Sequence, residues 1–297
     1  MIILITGSSG FVGSALVRSL TAEGHSAMRL VRRPVARDDE VRWDPESGSL
    51  DPEALTGVEA VVHLAGESLA EGRWTAAKKA RILDSRLQGT RLLSQTLAAM
   101  RSPPDVLVSA SAKDYYGDRG AELLAENSPA ASDFLAGVIH QWETACGPAA
   151  KVGIRVVNMR SGLVLDRGGG ALARMLLPFR LGLGGRLGHG RQYVPWISLE
   201  DMVRVIAHCS STKEVEGPVN VAAPQVVTNA EFTRALGRAV SRPTLFPVPA
   251  FALRAIFGEV AHALLAGARL DTSKLMGTGF NFSHPTLDQA LAAALRN

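Results

Sequence analysis

Ile3-Leu4-Ile5-Thr6-Gly7-Ser8-Ser9-Gly10-Phe11-Val12-Gly13 opens the chain as an apolar strand running straight into a glycine turn and then a helix. In such a turn Gly7 permits the sharp reversal, Gly10 lets backbone approach a pyrophosphate, and Gly13 lets the helix lie close to the strand. A glycine triplet alone is weak evidence. With a strand before it and a helix after it, it reads as a dinucleotide-binding turn lined by Gly7, Ser9, Gly10, Phe11, Val12 and Gly13.

Outward from this turn, strand-like apolar runs at 2–6, 27–31, 60–64, 106–110 and 154–159 alternate with helical patterns at about 11–23, 74–100 and 133–146. Such alternation predicts βαβ units and an α/β, doubly wound parallel sheet. The second half changes character at the glycine clusters 168–170 and 182–185, which read as bent loops around a site. A strand returns to the sheet at Val219-Asn220-Val221, and Thr228 with Glu231 forms a capping-box pattern opening a helix over 229–240. Helices follow near 250–266, 271–276 and 286–296. The expected division is a dinucleotide-binding region over 1–166, with a returning strand near 217–223, and a smaller, mostly helical substrate-side region over 167–297.

Composition narrows the function classes. The chain has 297 residues, 46% apolar and 20% charged, which excludes disordered, fibrous and coiled-coil classes. Net charge is +4 and no block of five like charges occurs, so neither nucleic acid nor a membrane is an expected partner. The absence of a signal peptide pattern or a long apolar run, with only two cysteines (Cys146 and Cys209), predicts a cytoplasmic protein.

The second strand ends Leu30-Val31-Arg32-Arg33-Pro34, where an NAD-selective fold carries an acidic residue against the ribose 2′-hydroxyl. Two guanidinium groups there predict a 2′-phosphate partner and hence NADP(H). Ala60-Val61-Val62-His63-Leu64-Ala65-Gly66 places small residues at a strand's carboxyl end, where ligands approach such sheets, and Glu67 follows them. His63, inside an apolar run, reads as a satisfied strand histidine. The cations of the following helix, among them Lys78 and Arg81, read mostly as a solvated face.

These motifs resemble the extended short-chain dehydrogenase/reductase superfamily, whose turn has the same Gly-x-x-Gly-x-x-Gly spacing, and within it the atypical "epimerase family protein" branch. The resemblance runs nearly end to end. It includes Trp43-Asp44-Pro45, Gly72-Arg73-Trp74, Tyr115-Tyr116-Gly117, Arg160-Ser161-Gly162-Leu163-Val164-Leu165 and, most specifically, the run from Leu177 to Gly185 and that from Gly188 to Ile197. It implies that Val31 and Arg32 hold the adenosine ribose-phosphate, Leu64 and Ala65 the adenine or ribose side, and Gly162 the nicotinamide end. Arg81, Arg86 and Val164 are further implied cofactor contacts.

For catalysis the resemblance implies less, because the superfamily's Tyr-x-x-x-Lys pair is absent: four residues beyond Tyr115, Tyr116 and Tyr193 stand Arg119, Gly120 and Ile197. Replacement acids expected at strand ends facing the crevice are Tyr116, Ser111 and Glu67, with Tyr115 and Lys113 beside them. Glu143 reads as a helix anchor and Asp201 as a helix cap, while the resemblance implies that Gln192, Tyr193, Trp196 and Ser198 close the substrate pocket. The expected activity is an NADP(H)-dependent, epimerase-like oxidoreductase transferring hydride to or from an unidentified small polar or nucleotide-linked substrate, as a monomer or homodimer. The alternative is a catalytically silent NADP(H)-binding module.

Overall fold

Four of the five residues of β1 (Ile2–Thr6) are buried, as a strand must be when both faces of its sheet are covered. The computed structural model describes residues 1–69 and 72–296, so Asn297, the last residue of the expected second region, lies outside it. In chain order β1 is followed by α1 (Phe11–Ala22), β2 (Ser26–Val31), β3 (Glu40–Arg42), β4 (Ala60–His63), α2 (Ala76–Ala99) and β5 (Val106–Ala112). Then come β6 (Leu123–Leu124), α3 (Phe134–Thr144), α4 (Gly147–Lys151), β7 (Arg155–Ser161), β8 (Leu163–Leu165), α5 (Gly170–Arg180), β9 (Trp196–Ser198), α6 (Leu199–Ser211) and β10 (Gly217–Val221). The chain ends in α7 (Asn229–Ala239), α8 (Ala250–Phe257), α9 (Val260–Leu265), β11 (Arg269–Leu270), α10 (Ser273–Gly277) and α11 (Leu287–Leu295).

Seven strands form one sheet in the order β10-β7-β5-β4-β1-β2-β3, every neighbouring pair parallel. Alternate residues serve opposite faces. Ile3, Ile5, Val62 and Val108 pack against Leu16 and Leu20 of α1 and Ile206 of α6, whereas Leu4, Val61 and Leu107 pack against Leu93 and Leu97 of α2. Strand order reverses between β1 and β4, which opens a crevice outside their carboxyl ends. A further core joins Leu172, Leu176 and Phe179 of α5 to Trp196, Phe232 of α7 and Leu291 of α11.

The expected strands and helices fall within a few residues of those observed; β6, β8, β9, β11 and α4 add to them, and three further differences stand out. β3 is a three-residue edge strand, too short to show a periodicity. α5 begins inside the 168–170 glycine cluster and carries Pro178, so local signals point to a loop where packing of Leu172 and Leu176 makes a helix. The apolar 250–266 segment breaks at Gly258, whose φ of +60° ends α8 before α9 begins. The Thr228/Glu231 capping box is formed as read, each residue's side chain accepting from the other's backbone N–H.

Candidate functional site

The glycine turn is defined by the atoms it lacks. Gly7 has φ +68°, and a Cβ there would stand 3.0 Å from the Ala65 nitrogen; a Cβ on Gly13 would stand 2.2 Å from the Gly7 carbonyl oxygen. The Gly10 N–H donates to Gly7 O at 2.9 Å, closing the turn. Helix α1 starts after Gly10 without a side-chain cap and without an acidic residue in its first turn. Its first amides and its positive dipole end are therefore left for an external anion. This is a cradle that fits the pyrophosphate of a dinucleotide. The Gly169–Gly170 segment lies against Phe11 so closely that a Cβ on Gly169 would come within 2.4 Å of the ring.

Thr6 and His63 hold the cradle's neighbouring backbone. The Thr6 hydroxyl oxygen accepts the N–H groups of Leu64 and Ala65, both at 3.1 Å, so its proton goes to His63 Nδ1 at 2.7 Å. The other ring nitrogen then carries hydrogen toward Thr90 Oγ1 at 2.9 Å. Burial pushes the His63 imidazole down to about 4, which keeps it neutral. His63 is a strut, as its apolar run indicates.

At the end of β2 the two arginines part. Arg32 is exposed and has no partner among the described residues, whereas Arg33 grips the buried Glu40 with two hydrogen bonds, at 2.8 and 2.5 Å, and donates to Pro34 O. The Arg33 guanidinium, with the Ala36 N–H, holds the Glu40 carboxyl well below the usual carboxylate range. The expectation of two free guanidinium groups is corrected to one, because a buried carboxylate claims the other. Val31 lies half-buried beside them.

Beyond β4, Gly66 sits against the Arg86 guanidinium, and a Cβ there would be 3.4 Å from Arg86 Cζ. Arg86 is buried. It donates to the carbonyls of Glu67 and Ile82, both at 3.1 Å, and lies 5.0 Å over the Trp142 ring; burial lowers it to about 10. Lys78 departs from the solvated-face reading. It is buried, with Nζ 2.7 Å from Glu67 Oε1, while Arg81, exposed, stands 3.6 Å from the same oxygen. Lys78 first, then Arg81, hold Glu67 ionised, so its carboxylate accepts hydrogen bonds and is poorly suited to give a proton. Gly162 passes so close to Pro195 that a Cβ would meet its carbonyl oxygen at 2.6 Å, and half-buried Val164 pairs with Ile197.

The other end of the crevice is filled by side-chain bonds. Arg160 is bound by Glu143 through Nε at 2.9 Å and Nη2 at 2.8 Å, and its Nη1 donates to Tyr116 Oη at 3.0 Å and Glu126 O at 2.9 Å. Ser111 Oγ donates to Glu143 at 2.6 Å, and Tyr116 Oη donates to Asn220 Oδ1 at 2.7 Å. Tyr116 is wholly buried in a 3-10 turn over Lys113–Tyr116, and burial pushes its phenol up. The expectation that Tyr116 and Ser111 face the crevice is corrected: both are buried and spend their protons inside the protein. Lys113 is paired with Asp114. Tyr115 remains. Its ring is half-buried, 3.4 Å below the Arg160 Cζ, and its hydroxyl has no partner among the described residues.

Sequence reasoning placed Glu143 on its helix but missed Arg160 and Asn220 as its companions. A signal existed for Arg160: it follows Met159 near the end of a strand that the apolar pattern places inside the sheet, and an arginine is almost never fully buried without a partner. In the second half, Trp196 and Ser198 are core and cap rather than pocket wall, the indole donating to Gln225 O and Ser198 Oγ accepting the Asp201 N–H. Gln192 is buried against Leu187 O, with its Oε1 unpartnered. Tyr193 carries the backbone bridge to Thr228, and His189 is exposed on its loop. Among the described residues no His/Cys/Asp/Glu cluster could hold a metal, and no helix is long and apolar enough to cross a membrane.

Comparison with known proteins identifies a family and a fold. The model of the NAD dependent epimerase/dehydratase family matches residues 3–222, and that of a domain of unknown function, DUF1731, matches 248–294. The chain is 47% identical over 294 residues to epimerase family protein Mb2239 of Mycobacterium bovis, covering 99% of this chain and 97% of the relative. It is 36% identical over 295 residues to human epimerase family protein SDR39U1, covering 98% of each. The crystal structure of human SDR39U1 (isoform 2) with NADPH superposes with a TM-score of 0.93 at 36% identity, covering 99% of both chains. UDP-N-acetylglucosamine 4-epimerase from Bacillus cereus shares the fold, with a TM-score of 0.77 at 18% identity over 99% of this chain and 98% of that one.

Proposed function

The chain belongs to the NAD-dependent epimerase/dehydratase family, and we propose that it is an NADP(H)-dependent, epimerase-like oxidoreductase acting on a small polar or nucleotide-linked carbonyl or alcohol. The observation that carries this reading is the uncapped α1 cradle together with the single unpaired guanidinium of Arg32 at the end of β2. The NADPH complex of the human relative supports it.

Gly7, Ser9, Gly10, Phe11, Val12 and Gly13 would hold the pyrophosphate, Val31 and Arg32 the adenosine 2′-phosphate, and Leu64, Ala65 and Gly66 the ribose side, with Arg81 and Arg86 behind them. Gly162 and Val164 would border the nicotinamide. When bound, NADP(H) supplies or takes up a hydride. The chain must then supply the matching proton. Tyr115 is the group fitted to move it, because its hydroxyl alone among Tyr115, Tyr116, Ser111 and Lys113 is not already bonded within the described protein. Arg160, stacked on that ring, fixes its orientation. Glu67, kept anionic by Lys78, would accept a substrate hydroxyl. We place the protein in the reducing cytosol, in keeping with two buried thiols, Cys146 and Cys209, each pushed up to about 12 by burial.

The test is single-turnover oxidation of bound NADPH against a panel of small carbonyl compounds. Turnover that falls roughly 10²- to 10⁴-fold in Tyr115→Phe is the expected result for loss of a general acid. The bonded state of Ser111, Tyr116 and Glu67 also favours a second reading, a silent NADP(H)-binding module. Tight NADPH binding with no turnover on any carbonyl would establish that one instead.

A further inference from the structure

A cavity of about 630 Å³ opens where α8 and α9 lie across the loop after β5 and the Gly188–His189 loop. That volume suits a small molecule. Two ties bring α8 and α9 to the amino end of α2: Arg73 Nη2 donates to Ala255 O at 2.6 Å, and Lys79 pairs with Glu259. The cavity thus lies on the carboxyl side of the sheet, and one of its walls, Asp118, is three residues past Tyr115.

Its lining is divided by chemistry. Ala250, Leu265 and Ala266 give an apolar floor, and Arg254, His262 and His189 give the polar rim. Arg254 and His262 have no side-chain partner among the described residues. His189 Nδ1 accepts the Arg191 N–H at 3.0 Å, so the neutral ring carries its proton on Nε2 and presents a donor. Of the two carboxylates on the rim, Glu259 is neutralised by Lys79, and Asp118 accepts the Gly120 N–H at 3.3 Å. Arg254, left without a protein acceptor above an apolar floor, describes a ligand that supplies one, with the imidazoles of His262 and His189 beside it. A guanidinium fork matches carboxylate and phosphate oxygens in particular. The lining includes no Phe, Tyr or Trp to stack on a nucleobase. By contrast, the smaller cleft of about 220 Å³ between α7 and α11 presents Arg238 and Asp288, which already pair with each other.

We propose that this cavity is the substrate site, and that it takes a molecule with an apolar body and an anionic head, the head held by Arg254 with His262 and His189. This rests on the oxidoreductase reading above and narrows its substrate to an amphiphilic anion in place of a nucleotide-linked one. Carboxylate and phosphate share the required chemistry, and the experiment separates them.

Octanoate, octyl phosphate and octanol, each below its micelle-forming concentration, are titrated calorimetrically into the protein saturated with NADPH. At least one anion is expected to bind tenfold or more tightly than octanol, and to lose tenfold or more in Arg254→Gln with part restored in Arg254→Lys. The preferred anion identifies the head group. Octanol binding as tightly as both anions, or anion affinity unchanged in Arg254→Gln, overturns the proposal. NADPH affinity, measured in the same variants, reports that the fold and the cofactor site are intact. Because calorimetry is blind to chemistry, anion binding without any carbonyl turnover removes the oxidoreductase reading and leaves the cavity as an anion-binding site, not a substrate site, whereas turnover without anion binding removes this proposal alone.

Discussion

The two ends of the crevice are built in opposite ways. At the glycine turn the protein makes room: three side chains are missing, helix amides are uncapped, and one arginine is left unpaired. At the ends of β5, β7 and β10 it fills the space, and Glu143, Arg160, Tyr116 and Asn220 close a hydrogen-bonded cluster on one another. Groups meant for an external ligand are the ones the protein leaves unsatisfied, because a buried polar group already bonded gains little by exchanging partners. By this criterion Arg32 and Tyr115 are available, and Arg33 and Tyr116 are not.

Four measurements sharpen or break that contrast. The largest effect is expected for Glu143→Ala, which leaves Arg160 buried and unpaired; the loss should be about 3–5 kcal/mol in urea unfolding, the scale for breaking a buried ion pair. A loss under about 1 kcal/mol would mean that the cluster is not the structural clasp described, on the same scale.

Next comes pH. The folded imidazole of His63 is held down to about 4 against an ordinary 6.5, so the unfolded state binds the extra proton. Its contribution is complete above pH 6.5 and is lost as pH falls toward 4, amounting to about 3 kcal/mol at most. In His63→Asn this part of the stability-versus-pH curve should flatten; an unaltered slope would show that another group carries it.

Arg32→Ala should reduce the preference for NADPH over NADH about 10- to 100-fold in calorimetric affinities, the range for a charge-assisted hydrogen bond. Arg33→Ala should leave that preference in place while loosening the segment that Glu40 anchors. Equal affinities for the two cofactors in the unmodified protein would dissolve the distinction between the arginines. The smallest effect is Tyr116→Phe, which removes one bond to Asn220 and one from Arg160 and should cost roughly 1–2 kcal/mol in stability. Its rate should stay near that of the parent on any substrate that Tyr115→Phe fails to turn over.

Legibility followed the range of the interactions. Strands β1, β4 and β5 show in continuous apolar runs, and the capping box at Thr228 shows in four residues, because both are set by neighbours in sequence. β3 and α5 do not show, one being too short for a pattern and the other carrying glycines and a proline that distant packing overrides. Among site residues, Lys78 reads as surface from its helix alone; in the fold it is buried, and the return of Glu67 onto α2 gives its ammonium a carboxylate partner.

What the sequence determined by itself is the parallel sheet and the glycine turn with its helix. The glycine turn depends on residues within about ten positions of one another and on the backbone freedom that missing side chains confer, and the sheet shows in apolar strand runs alternating with helical ones. The tertiary structure decided which polar side chains are left over for a ligand. Arg33 is taken by Glu40 on the neighbouring strand β3, Tyr116 by Asn220 across 104 residues, and Ser111 by Glu143 across 32. Partnership at such separations is set by how strands are ordered and how helices pack on them, and a side chain's availability for chemistry is what remains after those partnerships are made.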